Sequence, residues 1–406
     1  MHSELAAFIR DTPEGAEASA ILAKCVHCGF CTAVCPSYQV LGDDLDSPRG
    51  RIYLMKRALE GAPVTDKTRL HLDRCLTCRA CETACPSGVE YGRLVDIGRA
   101  VVEDATRRSP LERMHRRALG IVLSNRKIFH ATLSLGRLFK PLMPAAMRKR
   151  IPPKEEVVWP QSRHQRRMLA LAGCVQGSLA PSINAATARV LDRLGISLIE
   201  APGAGCCGAL RFHLNEQEAG RDDMRRLIDR WWPLIESGAI EAIVMTASGC
   251  GVTVKDFGRL LAQDDRYREK AAHISAITKD LSEIISPDAF EQAQLSSTVA
   301  FQSPCSLQHG QRILGNVEAL LLRAGYRLTP VNEAHLCCGS AGTYSILHPE
   351  IAGELRTRKL QALQIGTPDF IATANIGCLS HLQAESSVPV LHWVQLLDRA
   401  LTPPGQ

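Results

Sequence analysis

The chain has 406 residues, 45% of them hydrophobic, and a formal net charge of +6. That length carries a soft expectation of two or three domains with cores that need no disulfide staples, and a charge this small does not by itself argue for a polyanionic partner. Residues 1–24, MHSELAAFIRDTPEGAEASAILAK, bear acids where a secretory leader needs a basic start and an apolar run. No run of eighteen apolar residues occurs, so the chain is expected in the cytoplasm, where paired cysteines more often hold metal than form disulfides.

The sixteen cysteines begin with CVHCGFCTAVCPSYQV at residues 25–40, and CLTCRACETACPSGVE at 75–90 repeats the spacing. Both read C-x2-C-x2-C-x3-C-P, the bacterial signature for two 4Fe–4S clusters. Thiolates are soft ligands suited to iron–sulfur cores. Spacings of two let three sulfurs converge on one cube, and the fourth cysteine lies too far round and points at the other. Cys25, Cys28, Cys31 and Cys85 are therefore assigned to one cluster, and Cys75, Cys78, Cys81 and Cys35 to the second. Pro36 and Pro86 turn the chain away after each loop. Zinc also takes four cysteines, but does not call for this run with its proline twice over.

Between the runs, Ser47-Pro48-Arg49-Gly50-Arg51 reads as a turn before a short helix. Arg49 and Arg51 either donate to cluster sulfurs or pair with Asp43, Asp44 and Asp46; ion pairing is the plainer expectation.

Residues 105–167 hold sixteen Lys and Arg against three acids, a surplus of thirteen positive charges. Within them, ALGIVLSNRKIFHATLSLGRLFKPLMPAAM mixes apolar residues with spaced basic ones. Packing between domains is the first expectation; docking on an acidic partner or an anionic membrane surface are the others. No nucleic-acid motif accompanies the charge, and no nucleic-acid partner is expected. Pro141, Pro144, Pro152, Pro153 and Pro160 mark the end of this connector.

The remaining cysteines form two matching sets. Cys174, Cys206-Cys207-Gly208 and Cys250 recur as Cys305, Cys337-Cys338-Gly339 and Cys378, at an offset of 131 for the first three cysteines. This is a duplicated domain rather than a solenoid. In the first copy RRMLALAGC and ISLIEAP read as strands, PSINAATARVLDRLG as a helix, residues 214–236 as a long amphipathic helix, and EAIVMTASGC as a buried strand. The second copy repeats this with STVAFQSPC, VEALLLRAG, YRLTPV, LCCG, a helix near 350–365 and DFIATANIGC. Alternating strands and helices predict a parallel sheet, with the cysteines at its carboxyl edge. Gly208 and Gly339 would let the backbone approach whatever the cysteine pairs hold. Buried structural thiols are the bland alternative; metal or redox chemistry at matching vicinal pairs is preferred.

These stretches together resemble the iron–sulfur subunit of glycolate oxidase: a ferredoxin-type domain followed by two cysteine-rich CCG domains. The resemblance runs from about residue 15 to 400. The same architecture occurs in the iron–sulfur subunit of anaerobic glycerol-3-phosphate dehydrogenase, in lactate-utilisation proteins and in heterodisulfide reductase subunits. It implies an α+β chain: an α-helical domain with two 4Fe–4S clusters (1–104), the basic connector (105–165), and a duplicated α/β pair (166–295 and 296–406). It implies an electron-transfer subunit of an oxidoreductase complex acting on glycolate or D-lactate. The chain would have no catalytic residue of its own, FAD would lie on a partner subunit, and membrane quinone would be the acceptor at the inner face of the cell membrane. The sequence has no flavin motif of its own. One departure stands out. The full CCG motif ends in C-x2-C, whereas here Cys250 is followed by Thr253 and Cys378 by His381 at that position. Heterodisulfide chemistry at a five-cysteine cluster is therefore disfavoured. Cys174, Cys206, Cys207 and Cys250, and Cys305, Cys337, Cys338 and Cys378, remain candidates for a further cluster or zinc. His381, His309 and His335 are secondary ligand candidates, more readily explained by packing or exposure.

Overall fold

A computed structural model describes residues 1–144, 148, 151–290 and 295–401. Lys149 and Arg150, counted in the basic connector, lie outside the described residues. The N-terminal part is helical, built around Pro13–Lys24, Pro48–Leu59, Asp66–Asp73 and Tyr91–Ala105. Two of these start alike, with proline in the first turn and a hydroxyl cap: Thr12 accepts from the Gly15 amide and Ser47 from the Gly50 amide. Ile21, Leu22, Met55, Leu59, Leu72, Leu94 and Val95 fill the space between the helices.

The duplication appears as two parallel four-stranded sheets of one topology. The first comprises β1 (Arg166–Ala170), β2 (Ile196–Glu200), β3 (Ala242–Met245) and β4 (Thr278–Asp280), in the order β2-β1-β3-β4. The second comprises β5 (Thr298–Gln302), β6 (Arg327–Leu328), β7 (Phe370–Thr373) and β8 (Val390–His392), in the order β6-β5-β7-β8. Each central strand carries a short buried apolar stretch, residues 168–170, 242–245, 299–301 and 371–372, as parallel sheets covered on both faces require. The helices Ser182–Arg193 and Trp393–Leu401 join the copies, with Arg189 paired to Asp398 at 2.6 Å. The edge strands β4 and β8 and the helix after β8 have no counterpart among the predicted elements. The predicted strand YRLTPV shortens to two residues, β6.

The connector forms the helices Pro110–Ser124 and Arg126–Leu138, separated by Asn125, which caps the second. The expected interdomain packing holds for one face only. The buried residues of the first helix are Arg116, Gly120 and Ser124, and the second buries none. Arg108 and Arg116 both reach Asp73 of the helical domain, at 2.7 and 3.1 Å.

Candidate metal centres

The two N-terminal cysteine loops share a backbone. His27 and Gly29 have φ of 55° and 88°, and Thr77 and Arg79 have φ of 53° and 60°. Each middle cysteine, Cys28 or Cys78, thus sits between two left-handed residues. Three of the four are not glycine, a conformation that costs about 1–2 kcal/mol each. Cys25, Cys28, Cys31 and Cys85 line one cavity with Pro48, Ile52 and Tyr91. Cys35, Cys75, Cys78 and Cys81 line a second, and Cys81 borders both. Cys28 is exposed, with Val26 and Phe30 at 70% and 63% exposure beside it. Cys35, Cys75 and Cys81 are buried and Cys78 half-buried.

Electrostatics set Cys75 apart: burial and neighbouring thiols push Cys78 and Cys81 of its own cavity well up. Burial pushes the Cys31 thiol of the first up to about 11. In the second, burial also works against the Cys75 thiolate, but Arg51 and Arg99 outweigh it and hold the thiol below its ordinary value. Arg51 is fully buried. It donates to Ser37 Oγ at 3.0 Å and to the His71 carbonyl at 2.6 Å, pairs with Asp46 at 3.2 Å, and lies 4.0 Å from Cys35 Sγ. Asp46, also buried, is shared with Arg74 and His71. Arg49 pairs with Asp44, as expected; Arg51 plays both roles at once. The Tyr91 hydroxyl and the Thr77 amide donate to Cys75 Sγ at 3.6 and 3.4 Å.

Each later copy brings its four cysteines together. In the first, thiol contacts chain Cys174 to Cys206, Cys206 to Cys207 and Cys207 to Cys250. In the second, the Cys305 and Cys337 sulfurs lie 3.8 Å apart, with Cys338 and Cys378 continuing the chain. Mutual proximity and burial push six of these eight thiols well up: Cys174, Cys206, Cys207, Cys305, Cys337 and Cys338. Four crowded buried thiols become good ligands only when a cation compensates their charge, so the donor sets fit a soft metal or an iron–sulfur core. The CCG glycines make a close approach, though not toward the cysteines' cargo. A Cβ on Gly208 would meet the Gly220 carbonyl oxygen at 2.6 Å, and one on Gly339 would meet that of Ala352 at 2.7 Å. They seat the following helix, while their amides donate to Cys206 and Cys337 Sγ at 3.4 Å. Cys250 and Cys378 stand inside the helices Ser248–Lys255 and Ile376–Gln383 rather than at strand ends.

The copies differ in their surroundings. An open cavity of ≈ 140 Å³ joins Cys78, Arg79 and Asp96 of the helical domain to all four cysteines of the second copy. The buried Lys359 lies close enough that Cys338, Cys337, Cys378 and Cys305 raise its pKa against burial, which leaves it below its ordinary value. Its ammonium donates to the carbonyls of Glu333 and Ala334. In the first copy the corresponding helix is apolar there, with Leu227 and Ile228 buried, and the Asp223 carboxylate bears on Cys206. The sequence reading missed Lys359, whose only trace was a lysine among alternating helical residues.

Residues 21–89 match a family described as a 4Fe-4S dicluster domain, and residues 168–255 and 299–383 each match one described as a cysteine-rich domain. The glycolate oxidase iron–sulfur subunit of Escherichia coli (strain K12) is 50% identical over 405 residues, covering 99% of both chains. The chain belongs to the family of glycolate oxidase iron–sulfur subunits. A probable glycolate oxidase iron–sulfur subunit of Bacillus subtilis (strain 168) is 30% identical over 89% of this chain and 88% of its own. Lactate utilization protein A of Bacillus licheniformis is 25% identical over 55% of this chain and 96% of its own. Two of the three histidines near the CCG cysteines are engaged elsewhere. His309 bridges Thr83 Oγ1 and the His335 carbonyl, at 3.0 and 2.9 Å, so its Nε2 carries the proton. His381 donates to the Ala352 carbonyl at 3.2 Å. Thr253 borders the cavity next to the second copy's cysteines.

Proposed function

We propose that the chain is the electron-carrying subunit of a flavin-dependent complex oxidising glycolate or D-lactate. An FAD-bearing partner would supply the electrons and membrane quinone would accept them, with the chain peripheral at the inner face of the cell membrane. The observation that carries this reading is the succession of thiol cages: exposed Cys28, then the buried cavity of Cys35, Cys75, Cys78 and Cys81, then the second-copy cysteines sharing an open cavity with Cys78. Our ligand sets are Cys25, Cys28, Cys31 and Cys85 for one 4Fe–4S cluster, and Cys75, Cys78, Cys81 and Cys35 for the other. When bound, such clusters carry single electrons, which suits a two-electron flavin that must deliver them one at a time.

The chain's own residues set the conditions for that traffic. Arg51 and Arg99 offset negative charge at the second cage, and Tyr91 donates to its Cys75 sulfur. The apolar rim of Val26 and Phe30 beside Cys28 suits close approach of a redox partner. Lys359 and the cavity shared with Cys78 make the second CCG copy the better place for a further iron–sulfur cluster. The first copy, with Asp223 nearby, suits zinc or a structural role. We keep domain divisions at residues 104, 165 and 295 as part of this reading.

The test is anaerobic purification of the complex with iron, sulfide and zinc analysis and EPR of the reduced protein. Two cubes give about eight iron atoms, and clearly more places a cluster at the CCG cysteines. Cys28→Ser should remove one EPR signal and stop electron delivery to quinone. Unchanged quinone reduction by that variant would remove Cys28 from the path.

A further inference from the structure

Of the twenty large apolar residues exposed among the described residues, ten fall between residues 111 and 158. They are ordered rather than scattered. On the helix Pro110–Ser124 the exposed apolar residues are Leu111, Met114, Ala118 and Ile121. On the helix Arg126–Leu138 and the turn that follows they are Ile128, Ala131, Leu135, Leu138 and Leu142, joined by Phe139. Both sets follow the spacing of one face of an α-helix. Leu111 is 70% exposed, Leu138 72% and Leu142 82%.

The first helix buries only Arg116, Gly120 and Ser124, with Arg116 held by Asp73, and half-buries Leu119, Val122 and Leu123; the second buries none and half-buries Phe129 and Leu133. The exposed apolar stripes face water. Cations border the stripes: at 3.6 residues per turn, Arg117 and Lys127 fall within about a quarter turn of the stripe centres. Arg117, Lys127 and the nearby Arg113 are exposed and make no side-chain ion pair among the described residues.

We propose that this helix pair is a membrane-surface anchor that lays its leucine stripes into the headgroup region of an anionic lipid bilayer. The composition matches that occupant: Leu, Met, Ile and Phe on one face, flanking unpaired Arg and Lys, no helix long and apolar enough to cross a membrane among the described residues, and a segment carrying thirteen surplus positive charges. The stripes are convex helix faces rather than a lined groove. The proposal deepens the peripheral-membrane part of the reading above by naming the segment and the lipid charge.

The test is flotation of the purified, cluster-loaded full chain with vesicles of phosphatidylcholine alone or mixed with phosphatidylglycerol. Binding is expected on the anionic vesicles and should weaken as salt screens the cations. Leu135→Ser with Leu138→Ser should abolish flotation. Arg113→Gln with Arg117→Gln and Lys127→Gln should weaken it on the order of a hundredfold on anionic vesicles, each cation being worth about fivefold. All these side chains are exposed, and unchanged cluster absorbance and melting temperature establish that the variants fold. No flotation on either vesicle, flotation unaffected by both variants, or loss of flavoprotein co-purification as the sole effect of the leucine variant would each overturn the proposal. Electron delivery is read separately, with a water-soluble quinone. If delivery fails while flotation persists, the electron-transfer reading falls and the anchor stands; the converse removes the anchor alone.

Discussion

Replacing Arg51 tests the electrostatics of the second cage. Its guanidinium is fully buried, pairs with Asp46 at 3.2 Å and lies 4.0 Å from Cys35 Sγ. Two unit charges at that separation interact by about 4 kcal/mol at an effective dielectric of 20, which is a ceiling. An electron added to a cluster spreads over the whole core, so about 1–2 kcal/mol of that reaches it, or roughly 40–90 mV for a one-electron couple. Arg51→Gln should lower the midpoint potential of the second cluster by that amount and move the first by less than half as much. Arg51→Lys keeps the charge but loses the planar fork that holds Ser37, the His71 carbonyl and Asp46 together. It should therefore cost stability while shifting the potential little. Asp46 keeps Arg74 at 2.9 Å in both variants, so neither strands a buried carboxylate without a cation. The assay is an EPR-monitored redox titration of the complex with iron content measured beside it. Unchanged potentials in fully loaded Arg51→Gln, or equal shifts in the Gln and Lys variants, would refute the reasoning.

Other consequences concern the duplicated domains. Lys359→Met keeps the apolar stem but removes the cation facing the second-copy cysteines, so metal at that copy should fall while the first copy's is unchanged; equal iron and zinc in variant and parent would count against the asymmetry. Gly339→Ala places a Cβ 2.7 Å from the Ala352 carbonyl oxygen at a φ of 90° and should cost about 2–4 kcal/mol, seen as a melting temperature roughly 5–10 °C lower. Gly353→Ala, in the helix Pro349–Gln364 with nothing within 4 Å, should instead be neutral or stabilising. Burial raises Asp280 from 3.8 to about 6, so the folded state binds its proton more tightly than the unfolded chain. The associated stability is present below the unfolded value and lost as pH rises through about 6. Asp280→Asn keeps an acceptor for the Ser282 amide and should stabilise by roughly 2–3 kcal/mol at pH 7 and little at pH 4, measured by urea unfolding; an equal effect at both values would show that the carboxylate is not responsible.

The sequence by itself determined a good deal. Two C-x2-C-x2-C-x3-C-P runs and two CCG sets at an offset of 131 announce themselves because ligand spacing is a local property of the chain. The strands β1, β3, β5 and β7 were legible for the same reason: each carries a short apolar run where a parallel sheet is covered on both faces. The edge strands β4 and β8 were not, since they are three residues each and take their identity from a neighbour. Gly208 and Gly339 were visible, but their close neighbours are carbonyls of the following helices, which no local pattern reveals. Lys359 beside four cysteines, and Cys78 on the second copy's cavity, were decided only when distant segments met. The connector shows the limit most clearly. Its apolar period was in the sequence, yet an apolar stripe reads the same whether it is buried or exposed. Only the tertiary structure decided that Arg116 points inward to Asp73 and Leu138 outward to water, because which face of a helix is buried depends on what stands beside it.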